Sequence, residues 1–162
     1  MSRPASKPIP DGFHTLATYL VVKQAAAAIE FYKKAFGAEE KLRLNGPGGS
    51  VVHCCLQIGD SPLMVSDECP QMGAFSPQHL GGSPVTIHLS VADADAAVAR
   101  AAAAGAKVVM PVAEMFWGAR YGVLQDPFGH SWSVATQVLE LAPEEIQAAM
   151  EKQFCGEYAK SA

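Results

Sequence analysis

Apolar and polar positions along the chain fall into two series of the same order. Leu16–Val22 is a short run of β-branched and aromatic residues and reads as a strand. From Gln24 to Phe36 the period becomes helical: Ile29, Tyr32, Lys33 and Phe36 share one face, Lys33 lays its stem along the edge, and Gly37 ends the helix. Strands follow at Glu39–Leu44, Val51–Ile58 and Leu63–Ser66, the last two a hairpin about Gly59-Asp60-Ser61-Pro62, with Asn45–Gly49 as a loop. The order then repeats. Val85–Val91 is a strand, Asp93–Ala104 a helix capped by Asp93 and stopped by Gly105, and Lys107–Met110, Tyr121–Gln125 and Ser131–Thr136 are three more strands. The last two are joined by Asp126-Pro127-Phe128-Gly129, in which Pro127 presets φ and Gly129 is free to take positive φ.

The chain therefore reads as βαβββ twice, at an offset of about 69 that pairs Leu20 with Leu89, Ile29 with Val98, Cys55 with Leu124 and Met64 with Ser133. The expected fold is one α+β domain over residues 13–154. It holds a first module at 13–66, a linker at 67–84, a second module at 85–140 and a C-terminal helix at 141–154, between tails at 1–12 and 155–162. The sheet is expected to be single, curved and mostly antiparallel, with an open cleft. The stripe Ile146, Ala149, Met150 and Phe154 on the last helix wants an apolar surface, in its own fold or on a partner chain.

Composition narrows the function classes. With 162 residues, 49% hydrophobic, the chain has enough apolar surface for one real core. A net charge of −4 and no cluster of Lys and Arg argue against a nucleic-acid partner. The Pro-containing N-terminus has no apolar run, so neither a signal peptide nor a membrane span is expected there. Cys54, Cys55, Cys69 and Cys155 lack metal or disulfide spacing, and free thiols in the cytoplasm are expected. The stretch Phe116-Trp117-Gly118-Ala119-Arg120-Tyr121-Gly122 carries three aromatic residues and an arginine between two glycines. With Gly118 and Gly122 as hinges it reads as a loop that closes over a pocket, or equally as a plug of packed aromatics.

The paired modules, Ala28-Ile29-Glu30-Phe31-Tyr32 on the first helix and Asp126-Pro127-Phe128-Gly129 before the last strand resemble the vicinal oxygen chelate superfamily. That superfamily includes glyoxalase I, extradiol dioxygenases and bleomycin- and fosfomycin-resistance proteins. Met115-Phe116-Trp117-Gly118 through Trp132 looks like its PhnB-type, glyoxalase/bleomycin-resistance-like branch. The resemblance implies a homodimer, and metal-ligand positions at Ala17, Met64, Thr86 and Ser133. A divalent ion wants imidazole or carboxylate at such positions, and these four residues supply neither. No metal and no other cofactor is therefore expected.

Strand parity places Tyr19, His88 and Ser133 on the face that would line the cleft, with His53, Cys55, Arg120 and Leu124 assigned there by the repeat offset. Tyr19, His53, His88, Trp117 and Arg120 are the candidate ligand-binding residues. Each has a plainer reading: His88 as a histidine bonded to a neighbouring hydroxyl or carbonyl, Trp117 as packing, Arg120 as a partner of Asp126 or Glu114. Two function classes stand side by side. One is a small-molecule-binding protein without the superfamily metal, of the resistance or sequestration type. The other is a glyoxalase-like metal-dependent lyase or dioxygenase with non-standard ligands.

Overall fold

The computed structural model describes residues 4–158, with side chains to Gln153. Among the described residues, eight strands and three α-helices follow the expected order, with a fourth, short helix, α2, added between the modules: β1 (Thr18–Val22), α1 (Ala25–Phe36), β2 (Glu39–Asn45), β3 (Val51–Ile58), β4 (Ser61–Asp67), α2 (Pro77–Leu80), β5 (Thr86–Ser90), α3 (Ala94–Ala103), β6 (Lys107–Glu114), β7 (Ala119–Gln125), β8 (Ser131–Gln137) and α4 (Pro143–Tyr158). The strands form two four-stranded sheets, β1-β4-β3-β2 and β5-β8-β7-β6. In each, the first pair is parallel and the others antiparallel. One continuous sheet was expected from the repeat. Instead β1 and β5 are each the outer strand of a separate sheet.

The same device ties helix to sheet in both modules, with different chemistry. Asp67 at the end of β4 accepts from the backbone N–H of Ala25 and of Val51, both at 2.7 Å. This satisfies an open donor at the start of α1 and holds β3 to it. At the matching place in the second module the Thr136 hydroxyl accepts from Ala94 N–H at 2.8 Å and donates to Val91 C=O at 2.9 Å. Asp93 caps α3 through Ala96 N–H at 2.9 Å, and Gly37 ends α1 at φ 68°.

The two modules meet along their helices. α1 buries Ala25, Ala28, Ile29, Phe31, Tyr32, Ala35 and Phe36, a wider face than the helical period alone marks. Phe36 packs on Trp132 of β8 with ring centroids 4.5 Å apart. At the centre lies Asp126, whose side chain is fully buried. It accepts from Tyr32 O–H at 2.8 Å, Trp132 Nε1–H at 2.9 Å and the N–H groups of Phe128 and His130, both at 2.9 Å. The Asp-Pro-Phe-Gly turn thus acts as the joint between modules.

Residues 67–84, expected as a plain linker, are an ordered clasp on this joint. A Cys69–Ala74 bridge, a 3₁₀ turn at Pro70–Met72 and α2 use up the segment. Ser76 is buried and bonds Glu68 at 2.6 Å, while Gln78 donates to Pro127 C=O at 3.1 Å. A prolyl start and short side-chain caps hide such a turn from periodicity. The C-terminal helix continues to Tyr158, past the expected end at 154. Ile146, Ala149 and Met150 are half-buried, whereas the Phe154 side chain and Cys155 thiol lie outside the described residues.

His130 is also buried beside Asp126, its Nδ1 3.8 Å from Oδ2 and without a hydrogen-bond partner among the described residues. Burial lowers its pKa, and the Asp126 charge only partly opposes this. The unfolded chain, with a value near ~6.5, therefore binds a proton that the folded chain refuses. The stability increment from neutral His130 is full above pH ~6.5 and is lost as pH falls through the lower folded value. Urea midpoints at pH 7.5 and 5.5 should converge for His130→Gln relative to the parent protein.

Candidate functional site

Strand register fixes what the open face of each sheet presents. In the first module Tyr19, Met64, Cys55 and Leu42 form one row, and Val21, Ser66, His53 and Leu44 the next. In the second, His88, Ser133, Val123 and Met110 form one row, and Ser90, Ala135, Tyr121 and Ala113 the next. Tyr19 of β1 thus corresponds to His88 of β5, and His53 of β3 to Tyr121 of β7. Each module sets one phenol and one imidazole diagonally across its middle strand, with the two residue types exchanged.

The pairs differ in contact. Tyr19 Oη and His53 Nδ1 are 3.1 Å apart, their rings edge-on with centroids 5.6 Å apart. His88 and Tyr121 lie nearly parallel, with an interplanar angle of 18° and centroids 6.3 Å apart. His88 Nδ1 bonds the Ser133 hydroxyl at 2.8 Å instead. Trp117 meets Tyr121 edge-on at 5.6 Å, and Phe116 meets Trp117 at 4.9 Å. The open face of the second module is therefore an aromatic stair from the β6–β7 turn to β5. Tyr19 is 50% exposed and His88 is exposed, so these groups are reachable from solvent.

Four of the five candidates lie on or beside these faces, and Arg120 does not. Its neighbours Tyr121 and Ala119 take the sheet parity that the repeat offset had given it. Arg120 points to the helix side and makes a two-bonded ion pair with Asp95 of α3 at 2.6 and 2.7 Å. Glu114, one of its expected partners, is only at 3.8 Å. The pair with Asp95 raises the pKa of Arg120 and lowers that of Asp95. Leu124 is likewise in the core rather than on the open face. The cause is one extra residue in the β7–β8 turn: Leu56 pairs with Leu63 across the first hairpin, while Leu124 pairs with Trp132 across the second. A one-residue slip turns every side chain of a strand to the other face. Tyr121 is the residue that sequence reasoning missed, and counting back from the longer turn would have found it.

The aromatic loop is fixed rather than hinged. Gly118 sits at φ 85° with its N–H bonded to Met115 C=O at 2.9 Å. Its own C=O accepts from Val138 and Leu139, both at 2.9 Å. Gly122 lies inside β7, where a Cβ would come within 3.0 Å of Val112. Neither glycine is free to act as a hinge.

The donor sets exclude some chemistry. No group of three or more His, Cys, Asp or Glu side chains close enough to hold a metal occurs among the described residues. Burial pushes the Cys54 thiol up to about 11 and raises that of Cys55, so neither resembles an activated nucleophile. Cys54, Cys55 and Cys69 are free thiols.

Residues 12–134 match the family model described as Glyoxalase/Bleomycin resistance protein/Dioxygenase superfamily. The chain belongs to this superfamily. A Mycobacterium tuberculosis protein is 50% identical over 144 residues, 87% of this chain and 85% of that protein. The X-ray structure of the Arabidopsis thaliana At5g48480 gene product superposes with TM-score 0.62 at 36% identity, over 76% of this chain and 98% of that one. A PhnB protein from Bacillus cereus shares the fold at TM-score 0.59 and 17% identity, over 76% of this chain and 99% of that one. The resemblance puts the superfamily's metal positions at Ala17, Met64, Thr86 and Ser133. One thioether and two hydroxyls do not form a divalent-metal site, so the residues present do not fit that ion. Among the described residues, no helix is long and apolar enough to cross a membrane.

Proposed function

We propose that this superfamily member is a metal-independent small-molecule-binding protein of the sequestration or resistance type, working in the cytoplasm as a homodimer. The observation that carries the reading is the stair Phe116, Trp117, Tyr121 and His88 on the open face of the second sheet, with the Ser133 hydroxyl bonded to His88. Large rigid aromatic surface with a few placed polar groups is what a small organic ligand needs.

The free strand edges support the dimer. β2 and β6 have register breaks and carry charges or proline, namely Glu39, Glu40, Lys41 and Arg43, and Lys107, Pro111 and Glu114. Such features blunt a sheet edge. β1 (TYLVV) and β5 (TIHLS) have none of them. A groove of about 620 Å³ runs between the start of β1, the β3–β4 turn and β5, walled by Leu16, Phe36, Ile58, Ile87, Leu89 and Trp132. A small ligand there would leave backbone donors and acceptors unpaired, whereas strands from a second copy would satisfy them. The groove is thus better suited to a partner chain, and the aromatic stair to a ligand.

A fluorescence screen of planar aromatic compounds, followed by calorimetry on the best binder, tests the binding reading. Trp117→Ala should weaken binding by about tenfold, the loss of aromatic contact plus burial. Unchanged affinity in a folded Trp117→Ala protein would place the ligand elsewhere.

A further inference from the structure

Ser133 is 3% exposed, and the only hydrogen-bond partner of its hydroxyl among the described residues is His88 Nδ1, at 2.8 Å. A buried hydroxyl without an acceptor for its proton is unfavourable. Ser133 is therefore satisfied when its O–H donates to Nδ1. That bond fixes the ring: Nδ1 is the acceptor and the proton resides on Nε2. Ser90, Ala135 and Val123 border His88 on this face, and none brings a charge. Met110 completes its row, also uncharged. Tyr121 lies nearly parallel beside the imidazole, and Trp117 continues the surface.

We propose that Ser133 is a positioning residue that holds His88 in its Nε2–H form. On this face the site then selects uncharged planar aromatic ligands that present a hydrogen-bond acceptor, such as a ring ketone, to that N–H. The inference rests on the binding-face reading and adds to it the ligand chemistry. The central rows offer no Lys or Arg to an anion and no carboxylate to a cation, so recognition comes from stacking area and one directed donor. At the position where the superfamily would place a metal ligand, this chain has a hydroxyl that acts on an imidazole.

Two measurements test it on the full-length protein. Long-range ¹⁵N–¹H NMR on the ligand-free protein should show His88 as the Nε2–H tautomer, and Ser133→Ala should give a mixture with the Nδ1–H form. A dominant Nδ1–H signal in the parent protein would overturn the positioning role. Calorimetry then compares 2-acetylnaphthalene with 2-ethylnaphthalene, which has the same shape and no acceptor. The ketone should bind about fivefold tighter, the effect of one neutral hydrogen bond. His88→Ala should abolish that preference and Ser133→Ala should reduce it, with the ethyl compound little affected by Ser133→Ala. Equal affinity of the parent protein for both probes overturns this inference while leaving the binding face intact. Failure of both probes to bind overturns the binding face itself.

Discussion

Asp126→Ala should destabilise the protein by about 3–5 kcal/mol, among the largest losses a single substitution produces. Four donors converge on this carboxylate from three directions: Tyr32 on α1, Trp132 on β8, and the backbone of its own turn. Removing the acceptor strands all four in a site that water does not reach. Asp126→Asn should cost less, because the amide keeps one acceptor oxygen, but its NH₂ would face the Trp132 N–H, which cannot accept. The same carboxylate is one cause of the raised Tyr32 pKa, after burial itself. Denaturant unfolding of Asp126→Ala, Tyr32→Phe and the double variant measures the coupling. A loss under 1 kcal/mol for Asp126→Ala would show that the joint does not hold the modules together.

A second large effect is expected at the proposed dimer interface. Leu16 is 87% exposed in the single chain and lies at the mouth of the groove between β1 and β5. Leu16→Asp should therefore leave the monomer's stability nearly unchanged. If a second copy covers the groove, the substitution buries an unpaired carboxylate and should weaken dimerisation at least about thirtyfold. Sedimentation equilibrium of the parent and Leu16→Asp proteins at micromolar concentration reads this directly. A parent protein that stays monomeric, or a variant that dimerises as well as the parent, would remove the dimer from the account.

Most of the architecture was legible because local signals agreed with one another. The helical period of α1, the Asp93 cap, Gly37 and the Asp-Pro-Phe-Gly turn each has a local physical cause. So does the βαβββ order, which places Tyr19 and His88 beside Met64 and Ser133. What failed to transfer was information of longer range. Nothing local says that the β7–β8 turn is one residue longer than its counterpart, and that single residue exchanges Arg120 and Leu124 for Tyr121 and Val123 on the open face. The Trp117 loop reads as a lid because glycines suggest hinges. The bonds from Val138 and Leu139 that fix Gly118 come from about 20 residues downstream and leave no trace in the loop itself. Asp126 reads as a turn residue. Its reach to Tyr32, 94 residues away in sequence, appears only once the modules are packed.

The central claim is that this member of the superfamily works without the superfamily's metal. Elemental analysis by inductively coupled plasma mass spectrometry, on protein purified without chelator and then dialysed against Zn, Ni, Mn and Fe in turn, tests it most directly. Far less than one equivalent of any divalent metal per chain is expected, since Ala17, Met64, Thr86 and Ser133 offer no carboxylate or imidazole. One equivalent retained per chain, and lost in His53→Ala or His88→Ala, would contradict the claim and return the protein to the metal-dependent lyases and dioxygenases.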